Sequence, residues 1–180
     1  MPDERKRTMF LGLAFLILLV VSSVENMVFF SILGEIFSNQ FLAVGMLFIH
    51  NVLVISLILL GMTFYVNLVI LDFFKREKYS HVVLDHPRTF ALVFTIMIVF
   101  LSILRGSSLL GGIDVEVLPL VLLVSAPIGI VEGYGIYLTI KKTLSREMTM
   151  KSLVYIYVIF LIAAIMEVGF INLLIWAATG

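Results

Sequence analysis

The sequence predicts an all-α polytopic membrane helix bundle, a single integral membrane domain over residues 1–180 with about five transmembrane helices and an interfacial amphipathic helix after the first. Three observations carry this. Apolar runs of roughly bilayer-spanning size recur along a chain that is 62% hydrophobic and 13% charged, with mean hydropathy +1.18. The basic residues collect in segments between those runs rather than spreading evenly. And one run holds a proline, three glycines and a lone carboxylate where a spanning helix crosses hydrocarbon, a combination that must face protein rather than lipid tails.

Arg5, Lys6 and Arg7 precede an apolar stretch that resumes beyond Glu25 and Asn26, so residues 9–30 read as a signal anchor and first crossing rather than a cleaved leader. From Glu25 to Phe41 the pattern turns amphipathic, with Phe29, Leu33, Ile36 and Phe37 on one side and Ser31, Glu35, Ser38 and Asn39 on the other. An interfacial segment at 31–50 is expected there. The run from Phe41 to Leu71 is too long for one straight crossing of a ~30 Å core at ~1.5 Å per residue. A break near His50-Asn51 is therefore expected, leaving 52–71 as the second crossing.

Residues 72–88 form a basic loop whose Asp85-His86-Pro87 marks a turn and helix start. The third crossing, 89–104, is short, with Arg88 and Arg105 placed to snorkel at its ends. The fourth, 117–140, is the central helix, and the fifth, 152–177, ends at the interfacial anchor Trp176. Of the twelve basic residues, three lie before the first crossing, four between 75 and 88 and four between 141 and 151, leaving Arg105 alone opposite. The positive-inside rule then expects a multi-pass cell-membrane protein with its N-terminus in the cytoplasm and its C-terminus outside.

The candidate site residues follow from the same frame. Pro127, Gly129, Glu132 and Gly133 define a kinked central helix with Glu132 near the midplane. Glu25, Asn26, His50, Asn51, Glu167 and Asn172 fall nearer the outer end as a polar cluster. Counting from the basic anchors puts Glu132 and Glu167 about 10 Å apart in depth, too far for a direct acid pair. Protonating a carboxylate at pH 7 costs roughly 3.7 kcal/mol, comparable to the ~2.5–3.5 kcal/mol penalty of inserting a charge. A neutral Glu132 bonded to a neighbouring helix is thus the leading structural reading, against a proton or cation site or a partner contact. Ser125, Gly129 and Gly133 share a small-xxx-small face, and Ala163-Ala164 precede Glu167; close helix packing is expected of both, with a homodimer through the glycine face as the alternative.

With no cysteine, disulfides, thiolate nucleophiles and Cys-ligated metals are excluded. The sequence lacks HExxH, G-x-S-x-G and P-loop motifs, and His81, Asp85 and His86 lack a further close ligand; no enzyme, metal, cofactor or nucleic-acid partner is expected.

Three motifs in order resemble the stage II sporulation protein M family: His50-Asn51 with Gly61, Pro127-Ile128-Gly129 followed by Glu132, and Ala163-Ala164 followed by Glu167. Ile128 stands where that family usually has histidine, which removes any role of that histidine in proton handling. The resemblance implies a non-enzymatic membrane scaffold or remodelling component acting with membrane or envelope protein partners, since the chain has no room for a wall-hydrolysing domain. Glu132 beside a proline sustains a second expectation, a small proton- or cation-linked transporter or channel. A subunit of a membrane transport complex, such as an ABC-type exporter, is a third.

Overall fold

The structure is a computed structural model that describes residues 2–36, 39–71, 73, 82–109 and 118–179, with side chains described except at 2, 30–36, 103–109, 118–125, 174–175 and 177–179. Among these the only regular elements are helices: α1 (Pro2–Ile36), α2 (Gln40–Ile70), α3 (Val82–Asp85), α4 (Pro87–Leu109), α5 (Leu118–Leu144) and α6 (Met150–Thr179). Three have described segments long and apolar enough to cross a membrane, Asp3–Phe29, Gln40–Ile70 and Met150–Leu173. In α4 the described apolar segment, Pro87–Ser102, is shorter.

Two expectations are corrected. Residues 31–50 do not form a separate interfacial helix, because α1 continues to Ile36 and α2 starts at Gln40. Nor is there a break at His50-Asn51. The run that is too long for one straight crossing stays helical throughout, because His50 and Asn51 find partners on other helices and so give the backbone no reason to open. The third run also proves longer than expected: α4 extends through Arg105 to Leu109, 23 residues or about 34 Å.

Local chemistry sets the helix ends. The Asn39 carboxamide accepts from the amides of Phe41 and Leu42 at 3.1 and 3.2 Å, capping α2. Pro87 opens α4 at the position where its missing N–H costs nothing. At the end of α5, Arg146 adopts a left-handed φ of 57° while Glu147 N–H reaches back to the Lys142 carbonyl at 2.8 Å. That is a Schellman closure with arginine where glycine is usual. Thr149 then caps α6 through the Ser152 amide at 3.1 Å.

Helices α2, α5 and α6 pack against one another, α1 lies along α2, and α4 lies along α5. The α1–α2 pair is antiparallel and keyed by two reciprocal contacts: the Phe64 ring lies over Gly12 and the Phe15 ring over Gly61. Between α5 and α6, Gly135 sits against the edge of the buried Phe160 ring. The core runs through Ile55, Ile136, Ile140, Ile156 and Phe160, with a smaller cluster of Phe29, Ala43, Leu47, Ala164 and Val168 towards the α1–α2 turn. These registers gather Arg5, Lys6 and Arg7, Arg88, Lys141, Lys142, Arg146 and Lys151 at one end of the bundle. Lys75, Arg76, Lys78 and His81 lie outside the described residues.

Candidate polar site in the bundle interior

Four helices bring polar side chains to nearly one level. Glu25 of α1 meets His50 of α2, with Nδ1 at 3.0 Å from Oε2 and 3.3 Å from Oε1. The His50 ring stacks on Phe29 at a centroid distance of 5.1 Å. This stacking covers one face of the imidazole while its Nδ1 edge meets the carboxylate. One residue further along α2, Asn51 Nδ2 donates to Glu132 Oε1 of α5 at 3.4 Å. Adjacent residues on one helix point about 100° apart, so α2 serves α1 with one and α5 with the other.

Glu167 of α6 completes the group. The contact of Gly135 with Phe160 in an antiparallel pair sets Glu132 near the level of Ala163, and Glu167 stands four residues beyond, about 6 Å along the axis. The two carboxylates are within electrostatic reach of each other. This shortens the separation expected from counting anchors, because those distances assumed straight helices of equal depth. Asn51, expected in an outer cluster apart from Glu132, is its partner. No direct hydrogen bond joins the two acids among the described residues. Both are partly accessible, so the site is not sealed.

The remaining candidates sort by position. Asn26 is engaged in contacts of its own, and Asn172 makes no hydrogen bond among the described residues. Ala163 and Ala164 are fully buried, letting α6 approach its neighbours closely. Gly129 and Gly133 face α4, where a Cβ on Gly133 would meet Val99 and Thr95 at 3.5 and 3.6 Å, ordinary contact distances. Pro127 is exposed and lines a shallow apolar groove with Gly169 and Phe170, so the proline turns outward while Glu132 turns in. The side chain of Ser125 lies outside the described residues. Gly135 was not singled out by any spacing pattern, although its place three residues after Glu132 puts it near the same helix face.

Polar groups inside an apolar bundle need hydrogen-bond partners; Glu25 has His50 Nδ1 and Glu132 has the amide of Asn51. The pair should therefore couple measurably. A double-mutant cycle of Glu25→Gln and His50→Gln, read by denaturant unfolding in detergent, is expected to give a coupling of about 1 kcal/mol; additivity within experimental error means the contact is idle.

Comparison with family models, curated proteins and solved structures finds no match. The likeness to the stage II sporulation protein M family accordingly rests on the quoted motifs alone.

Proposed function

We propose that this is a non-enzymatic integral membrane protein with five crossings, N-terminus cytoplasmic and C-terminus outside, whose interior polar level takes up a proton or small cation. The observation that carries the reading is the convergence of Glu25, His50, Asn51, Glu132 and Glu167 from four helices. Ionisable groups inside a membrane bundle are costly, and one such level collects three carboxylates against a single histidine. That excess of acid is what a cation or a mobile proton neutralises. Support for the orientation comes from the gathering of basic residues at one bundle end, and for five crossings from the lengths of α4 and α5, about 34 and 40 Å.

Proteoliposome flux tests it. Wild-type protein is expected to dissipate a proton or monovalent-cation gradient, and Glu132→Gln to reduce the rate at least tenfold while leaving the melting midpoint close to wild type. Protein that moves nothing above the lipid background removes the transport reading.

A second reading, a scaffold for membrane or envelope partners or for a second copy of the chain, is favoured by α1. It packs along α2 and leaves Phe10, Leu13, Ile17 and Val20 well exposed, a continuous apolar face of the kind another spanning helix covers. Cross-linking from Ile17 in native membranes separates partner from lipid contact.

A further inference from the structure

Between α4 and α5 lies an open apolar groove of about 570 Å³. Its floor is made by Gly129 and Gly133 against Val99 and Thr95, and its walls by Leu92 and Tyr137 at one end. The Thr95 hydroxyl is buried there without a partner among the described residues. Without side chains on the two glycines, α5 leaves a trough that α4 does not fill.

The end of the trough is charged. Tyr137 is followed one turn on by Lys141, whose Nζ lies 5.8 Å from the Tyr137 ring centroid. Leu92, across the groove, is preceded one turn back by Arg88. Because α4 and α5 are antiparallel, both one-turn steps lead out of the same mouth. Neither cation belongs to an ion pair among the described residues, whereas neighbouring Lys142 is occupied by the Ser152 hydroxyl at 3.0 Å. Asp85, three residues before Arg88, forms no ion pair with it.

We propose that this groove is a binding site for one anionic phospholipid, its acyl chain along the Gly129–Gly133 trough and its phosphate held between Arg88 and Lys141. The pairing of an apolar trough with two cations that have no ion-pair partner among the described residues at one mouth matches the two halves of such a lipid, and a zwitterionic lipid gains less from the same charges. From Gly129 to Tyr137 the trough spans about 12 Å, enough to take the first portion of an acyl chain. The proposal rests on α4 and α5 crossing the bilayer with this mouth on the cytoplasmic side, but is independent of what the interior carboxylates do.

The test is native mass spectrometry of the delipidated full chain with phosphatidylglycerol or phosphatidylcholine of identical tails. Phosphatidylglycerol is expected to bind about 25-fold more tightly. Arg88→Gln with Lys141→Gln, both at accessible positions, should erase that preference, about fivefold for each charge removed. Lys151→Gln, at the same bundle end but on α6, should preserve it. Equal binding of the two lipids, equal loss in Lys151→Gln, or displacement by millimolar inorganic phosphate overturns the site. A single cysteine at Ile96, in this cysteine-free chain, keeps the underlying reading separate: shielding from aqueous maleimide in liposomes with no lipid preference sinks the lipid site alone, while ready labelling sinks the crossing of α4 as well.

Discussion

Replacing Gly135 by alanine is expected to lower the stability of the folded bundle by about 3 kcal/mol, the upper part of the usual range for overpacking. A Cβ at that position overlaps Cε2 of Phe160 and comes to 2.9 Å from Cζ and 3.2 Å from Cδ2. The ring has nowhere to go, since Phe160 is 2% exposed and sits in the core with Ile136, Ile140 and Ile156. Helix propensity works in the opposite direction, alanine being better than glycine by up to ~1 kcal/mol. Gly133→Ala serves as the control. Its Cβ meets only ordinary contacts with Val99 and Thr95, so it should be neutral or slightly stabilising. Unfolding by denaturant in detergent reads both. Phe160→Leu, which withdraws the ring edge, should relieve most of the Gly135→Ala penalty, and this rescue separates a steric clash from a general intolerance of change at 135.

A second large effect is expected from Gly12→Val combined with Gly61→Val. Each glycine receives a phenylalanine from the other helix, and a Cβ at either lies 2.9 Å from the incoming ring. The rings of Phe15 and Phe64 are only partly buried, so either single change is accommodated by ring movement at a cost of about 1 kcal/mol. Changing both leaves no common displacement, because the two contacts lie on the same α1–α2 seam. Since lipid tails are as apolar as the seam, the pair is held by close fit rather than by expulsion of water, and lost fit is not offset. Cysteines at 25 and 50, whose native side chains touch, should cross-link nearly completely in the parent and at most a third as well with both valines present. Undiminished cross-linking would mean the seam tolerates the added bulk.

Much of this fold is legible in the apolar runs. Apart from Leu71 at the end of α2, the described residues of each expected range lie in a single helix, because a run of twenty apolar residues has few alternatives once basic residues mark its ends. The inward orientation of Glu132 was legible for the same energetic reason. What the chain conceals is everything settled between helices. His50 and Asn51 look like an interruption when α2 is read alone, and cease to be one when Glu25 and Glu132, far away in sequence, are supplied. The spacing of Gly129 and Gly133 points to close packing, yet of the described glycines in α5 it is Gly135 that leaves no room for a Cβ, because Phe160 falls against it. The joining of Asn51 to the central carboxylate was hidden likewise, because depth counted from anchors carries an error of about a turn in every helix.

Helices α1 and α2 are consecutive, with positions 37–39 between them, and Glu25 and His50 sit opposite each other on the two arms. A nascent chain emerging from the ribosome therefore offers Glu25, the first acidic group within its apolar runs, a mate in the same hairpin before α4, α5 or α6 has been synthesised. The insertion machinery can release both arms laterally as one unit with that hydrogen bond already made. Glu132 enjoys no such provision: its donor has entered long before, so the late arms must assemble onto a waiting Asn51, which makes the order of synthesis also the order in which the polar level is closed.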